Sequence, residues 1–301
     1  MGASSPSGLS RYLESWRPEP VTGHDIISAG PVAALSAVLD LPKPAAGDGE
    51  ALPPLWHWLY FLDWVPHREL GPDGHPLRGH FLPPIPNRAR MIAGGRIDVR
   101  RPLLVGAQAR RRSTLADVAV KQGRSGEMAF VTVRHEISQD SGLCLIEEHD
   151  VVYRSIPAGT PAAPSSSSAP SAPAATAEPP PGEGAWRLSL RPDSPLLFRF
   201  SALTANAHRI HYDEPYVRDV EGFPGLIVHG PLLAMLMLEP VRREVSGERV
   251  RSLSYRLRRP VFLGDVVHVV GGPVAGDRAE LRVDTDRGSG HATAEVTFTR
   301  T

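Results

Sequence analysis

The chain has 301 residues, enough for one large or two ordinary domains, and its 33 basic and 33 acidic side chains cancel. That balance excludes the broad charged footprint of a nucleic-acid or membrane binder. A single cysteine, Cys144, excludes an internal disulfide and a multi-thiolate metal site, and no apolar run is long enough to span a bilayer. Met1 to Ser10 is small and polar, without the basic-then-apolar order of a signal peptide, so a soluble cytoplasmic protein is expected.

In chain order, Val32 to Leu39 is predicted to form a short helix and Trp56 to Trp64 an aromatic-rich buried segment. His57, between two tryptophans, is expected to pack an interface or line a tunnel rather than react. Leu70 to Arg90 is crowded with Gly and Pro and must be a long loop, a length usually functional or flexible. His75 and His80 in that loop lack a convincing ligand set, so no metal is expected. Strands are predicted near 96–100, 113–121, 128–137 and 143–154.

After Ile156, the chain to Gly184 is built of Pro, Ala, Ser, Gly, Thr and Glu, with no large apolar residue. Burial cannot offset its ordering entropy, so it is read as a linker at 156–184 between domains at 11–155 and 185–301. The two sides share a signature. Arg100-Arg101-Pro102-Leu103-Leu104-Val105-Gly106 matches Arg258-Arg259-Pro260-Val261-Phe262-Leu263-Gly264, which points to duplication. Those four arginines are assigned to the fold, one of each pair facing solvent.

In the second half, Gly230 to Val241 (GPLLAMLMLEPV) is apolar almost all round and predicts a buried helix. Pro231 suits its first turn, and Pro240 should close or kink it after Glu239. Strands follow near 250–258, 264–271, 278–285 and 290–300. The last has a clean period of two, with Ala292, Ala294, Val296 and Phe298 on one face. The expected class is α+β, antiparallel sheets each wrapped around a central helix.

Reactive side chains concentrate in Thr204–Asp213 (TANAHRIHYD) and in the run Glu221–Gly230 (EGFPGLIVHG) that leads into the helix. A Gly at the start of a buried helix presents free N–H groups at the positive end of the helix dipole, which can hold an oxyanion. His211 suits proton transfer near neutral pH, or it caps a turn. His208 and His229 either pack or participate. Asp213 either orients His211 or caps a turn. Arg209 either binds an acidic group or is solvated.

The run from Phe200 to His211 (FSALTANAHRIH), continued by Tyr212-Asp213 and by Ile227–Gly230 (IVHG), resembles the hydratase-2 motif of MaoC-type hot-dog hydratases and dehydratases. It is most similar to the branch of mesaconyl-C4-CoA (3-methylfumaryl-CoA) hydratases and type 2 3-hydroxyacyl-thioester dehydratases. LPPLWHWLYFL, GPDGHPLRGHFLPPIPNRARMIAGGRI and GEMAFVTVRHEI in the first half resemble that branch's N-terminal repeat. The resemblance implies a tandem hot-dog fold, one site per pseudo-dimer, and (R) stereochemistry. It places the catalytic histidine at His211 and the family's aspartate at Asn206, an amide that cannot act as a base. Gly230 would hold the thioester oxygen, with Arg209, His208, Tyr212, Asp213 and His229 around the substrate. Arg209 would meet a second carboxylate or a CoA phosphate. No cofactor is implied. The partner would be an acyl-CoA, or an acyl-carrier-protein thioester in a dehydratase of fatty-acid or polyketide assembly. A non-catalytic thioester-binding protein and a hot-dog thioesterase are the other classes, and further assembly of pseudo-dimers stays open.

Overall fold

Alternating side chains in ten segments build one antiparallel sheet in the computed structural model, which describes residues 8–123, 126–155 and 185–300. The first half supplies β1 (Val21–Ile26), β2 (Arg88–Val99), β3 (Gln108–Gly123), β4 (Gly126–Gln139) and β5 (Gly142–Ser155). The second supplies β6 (Trp186–Leu190), β7 (Glu248–Leu257), β8 (Val267–Ala275), β9 (Arg278–Thr285) and β10 (Gly288–Arg300). The strand order is β1-β3-β4-β5-β2-β7-β10-β9-β8-β6. Outward from the β2–β7 junction the two halves run in the same succession, as a duplicated unit must. The linker expected at 156–184 lies outside the described residues.

The repeated signature follows β2 in one half and β7 in the other. Arg100 and Arg101 donate their backbone N–H groups to the Cys144 carbonyl (2.8 and 3.0 Å), while Arg258 and Arg259 donate theirs to the His291 carbonyl (2.8 and 3.2 Å). Gly106 (φ 88°) and Gly264 (φ 95°) close the two turns in the left-handed region. All four arginines are exposed, not one of each pair: both side chains leave a turn that lies outside the sheet.

The buried helix is α5, Gly230–Glu244, with every residue from Leu232 to Val241 buried. It runs through Pro240 and does not stop after Glu239. Core packing on all sides of that turn outweighs the roughly 3 kcal/mol that an internal proline costs a helix. The first half has no counterpart of that length. Its α2 (Ala29–Val38) matches the position of α3 (Ser194–Leu203) after the leading strand, and a short 3-10 turn at Trp56–Leu59 precedes the Gly/Pro loop. Among the described residues no helix is long and apolar enough to cross a membrane.

One core cluster crosses both halves, from Leu35, Trp56, Ile97 and Leu145 to Leu197, Met235, Leu253 and Val283. A smaller one gathers Leu9, Leu13, Ile85, Val131 and Tyr153. Residues alternate across a strand, so Leu145, Glu147, His149, Val151 and Tyr153 of β5 share the concave face. The polar pair Glu147 and His149 therefore lies between the two apolar clusters. Met235 is fully buried at the centre of α5, so Met235→Ala is expected to lower unfolding free energy by about 2–5 kcal/mol, read from denaturant midpoints at unchanged slope.

Candidate active site

The motif segment is a chain of local capping interactions. Asp193 caps α3 by accepting from the Leu196 N–H (2.9 Å). After α3 the chain turns back, and the Asn206 N–H donates to the Ser201 carbonyl (2.9 Å). The Asn206 side-chain oxygen accepts from the His208 N–H (3.0 Å), so its amide NH2 is the end left to face a ligand. A 3-10 turn at Arg209–His211 follows, then α4 (Glu214–Asp219), capped by Asp213 through the Tyr216 N–H (3.1 Å). The return segment is pinned by Ile227 N–H to Ile210 carbonyl (2.9 Å) and Val228 N–H to Val261 carbonyl (2.8 Å). It delivers His229 to the cap of α5 and Gly230 to its first turn.

His211 is buried, and its Nδ1 lies 2.7 Å from the Ile227 carbonyl. A carbonyl only accepts, so Nδ1 carries the hydrogen and Nε2 keeps its lone pair. His229 stacks on that ring at 3.6 Å between centroids and 18° between planes, and its Nε2 lies 2.8 Å from the Ser201 hydroxyl. His208 meets His211 edge-on at 5.6 Å. Burial pushes His211 down to about 4, against the Ile227 carbonyl, which favours the proton. Burial lowers His208 and His229 as well, with the neighbouring imidazoles adding to it. All three rings are therefore neutral at neutral pH.

The Gly/Pro loop of the first half docks on this segment. Asp73 accepts the Arg209 N–H through its backbone carbonyl (2.8 Å) and bonds His75 Nδ1 through its side chain (3.0 Å). The His75 ring packs 3.9 Å from His208. Gly74 sits at φ 88°, and a Cβ there would fall 1.8 Å from the Ala207 carbonyl oxygen, so only glycine fits. Asp73, His75 and His208 bring ligand atoms within 4.8 Å of one another, a set that could hold a metal ion, although His75 Nδ1 is already committed to Asp73.

Arg209 is spent on structure. Its Nε and Nη2 both donate to Asp213 (2.9 and 2.7 Å), its Nη1 donates to the Pro72 carbonyl (2.9 Å), and it stacks over Tyr216. Asp213 is thereby committed to Arg209 and to the α4 cap, not to His211. Tyr212 is half exposed, its hydroxyl on the Ala207 carbonyl (3.0 Å). Sequence reasoning missed Ser201, Ile227, Asp73, Gly74 and His75. Ser201 and Ile227 lay inside the quoted motif without an assigned role, and the other three left a signal only as members of a loop rich in glycine and polar side chains. The geometry brings together a neutral imidazole with an available Nε2, an amide donor at Asn206, and the N-terminus of a 15-residue helix. That set can move a proton beside a carbonyl whose oxygen is becoming negative.

Residues 55–263 match the family model for hydroxyacyl-thioester dehydratase type 2. The chain is 44% identical over 276 residues to the mesaconyl-C4-CoA hydratase of Chloroflexus aurantiacus, covering 90% of this chain and 92% of that one. Among solved structures, a MaoC-like dehydratase from Phytophthora capsici superposes with a TM-score of 0.65 at 12% identity, covering 98% of this chain and all of the other. A Mycobacterium tuberculosis protein described as a double hot-dog fold gives a TM-score of 0.55 at 14% identity, with 96% and 98% covered. These likenesses establish the tandem hot-dog fold.

Two outcomes test this geometry. His211 and His135, both lowered from 6.5 to about 4 chiefly by burial, are neutral when folded and take up protons on unfolding. The unfolded chain thus binds more protons across that interval. Stability should be complete above pH 6.5 and decline as pH falls toward 4, and a Tm that stays flat there would count against buried neutral imidazoles. Gly74→Ala should lift the loop from Ala207, with a cost of about 1–3 kcal/mol and faster hydrogen exchange at the Arg209 amide.

Proposed function

The chain belongs to the hydroxyacyl-thioester dehydratase type 2 family, the hydro-lyases that add or remove water on acyl thioesters, and we propose that it hydrates a short dicarboxylic enoyl-CoA such as mesaconyl-C4-CoA in the cytoplasm. The extent and level of identity to the Chloroflexus aurantiacus hydratase support CoA as the carrier and a dicarboxylic acyl group. The observation that carries the mechanism is the hydrogen bond from His211 Nδ1 to the Ile227 carbonyl, which leaves Nε2 as a base.

In this scheme the Asn206 amide donates to the water oxygen and holds it in place. His211 Nε2 takes a proton from that water as its oxygen bonds to the β-carbon. The π electrons move toward the thioester, and the enolate oxygen is held by the Gly230 N–H at the positive end of α5. Protonated His211 then gives its proton to the α-carbon, so one water has been added and the imidazole is restored. Dehydration is the same path reversed. His229, neutral and stacked on His211, keeps the ring in plane; His208 and Tyr212 line the approach, while Arg209 and Asp213 hold the loop that covers it.

The test is loss of the conjugated-thioester absorbance with mesaconyl-C4-CoA. His211→Ala is expected to reduce kcat by about 10²–10⁴-fold, while circular dichroism shows the fold retained at the assay temperature. Turnover intact in that variant would remove His211 from the chemistry. Turnover only with carrier-protein esters would replace CoA as the carrier.

A further inference from the structure

Arg90 belongs to none of the arrangements above. On β2 it pairs with Tyr153 of β5, whose ring is buried, and paired residues share a face, so Arg90 points into the concave side of the first half. Arg88, the next residue on that face, reaches out to the Leu77 carbonyl (2.6 Å), two residues after His75. Arg90 therefore lies one pleat deeper, under the loop that carries Asp73 and His75. It is half-buried, and its guanidinium has no hydrogen-bond or ion-pair partner among the described residues. A partly desolvated arginine without an acid is costly unless a ligand supplies one.

The acids of this face and of the loop above it are occupied. Both Glu147 oxygens are taken, by His57 (3.0 Å) and by the Trp58 indole (2.7 Å). Asp73 is held by His75. Farther along the same face two polar atoms are unsatisfied: among the described residues His149 Nε2 and the Tyr255 hydroxyl are buried without partners. Both belong to residues paired with Gly95, where a Cβ would lie 2.8 Å from the Tyr255 hydroxyl, so the glycine is what admits that ring to this face. The charge of Arg90 reaches both sides. Beyond the effect of burial, it works against protonation of His75 and His208 beside His211, and of His149 on this face.

We propose that Arg90 receives the free carboxylate of the acyl group and so sets the preference of this site for a dicarboxylic thioester. The inference rests on the hydratase reading above. In a mesaconyl-C4 thioester the free carboxylate is attached to the carbon that water attacks, where its charge repels the incoming oxygen. A guanidinium on that carboxylate both anchors the acyl group and removes the repulsion, so kcat and KM respond together. Arg209, the alternative on sequence grounds, has no free edge for the task.

The experiment compares kcat/KM for mesaconyl-C4-CoA and crotonyl-CoA in wild type, Arg90→Met and Arg90→Lys. The ratio favouring the dicarboxylic ester is expected to fall roughly tenfold or more in Arg90→Met, with part of it restored by Arg90→Lys. An equal fall for both esters would assign Arg90 to the CoA phosphates or to the fold and overturn the inference, as would an unchanged ratio. A wild type with no preference for the dicarboxylic ester would instead overturn the substrate reading, and this inference with it.

Discussion

The site depends on how closely three strands approach at the junction of the two halves. Where β2 runs between β5 and β7, Gly94 and Gly95 carry no side chain. A Cβ on Gly94 would lie 2.3 Å from the Tyr255 carbonyl oxygen, and one on Gly95 would lie 2.7 Å from that of Glu148. Backbone cannot yield as a flexible side chain does, so the continuous sheet requires glycine here. Everything downstream follows from that closure. Leu257 at the end of β7 packs against Gly230, which sets the N-terminus of α5 beside the junction. The first half's loop then falls across the motif of the second.

The electrostatics of the histidine cluster come from desolvation rather than from a charged partner. His211 has a carbonyl on Nδ1 and another neutral imidazole against its face, and among the described residues no carboxylate is bonded to it. An aspartate at position 206 would stabilise the imidazolium, whereas the amide does not, so burial prevails and the ring stays neutral. A base with so low an affinity for protons has a strong conjugate acid. In the proposed hydration this assists the second step, protonation of the α-carbon, at the expense of the first. The Asn206 amide offsets part of that by ordering the water before the proton moves.

Much of this was legible in the sequence because the signals are local. The all-apolar run Leu232 to Leu238 announced α5, the alternation from Ala292 to Phe298 announced β10, and the repeated Arg-Arg-Pro heptad announced duplication. The helix start at Gly230 was legible in the apolar run itself, and the motif that precedes it holds the turn at Arg209–His211. What escaped the sequence depends on tertiary pairing. Nothing near Arg209 indicates that its fork would be filled by Asp213 and by Pro72, 137 residues away. Nothing near Arg90 indicates that it would be left without an acid. Pro240 misled because helix propensity is weighed locally, whereas the packing that overrides it comes from the sheet on which α5 lies.

In the proposed reading the two similar halves make one site because they have diverged. In the second half α5 fills the concave face with Leu232, Met235 and Met237, leaving only its N-terminus for chemistry. In the first half the prolines and glycines between Pro66 and Pro86 forbid such a helix, and the concave face holds polar groups instead: Glu147, His149 and the unpaired Arg90. A helix there would bury those groups without partners, and a cavity in the second half would remove the packing that fixes Gly230. Each half is therefore unsuited to the other's task. In the proposed hydration, oxyanion support and proton transfer use the rigid end of α5, the charged acyl group uses the polar face of the first half, and the β2–β7 junction joins the two.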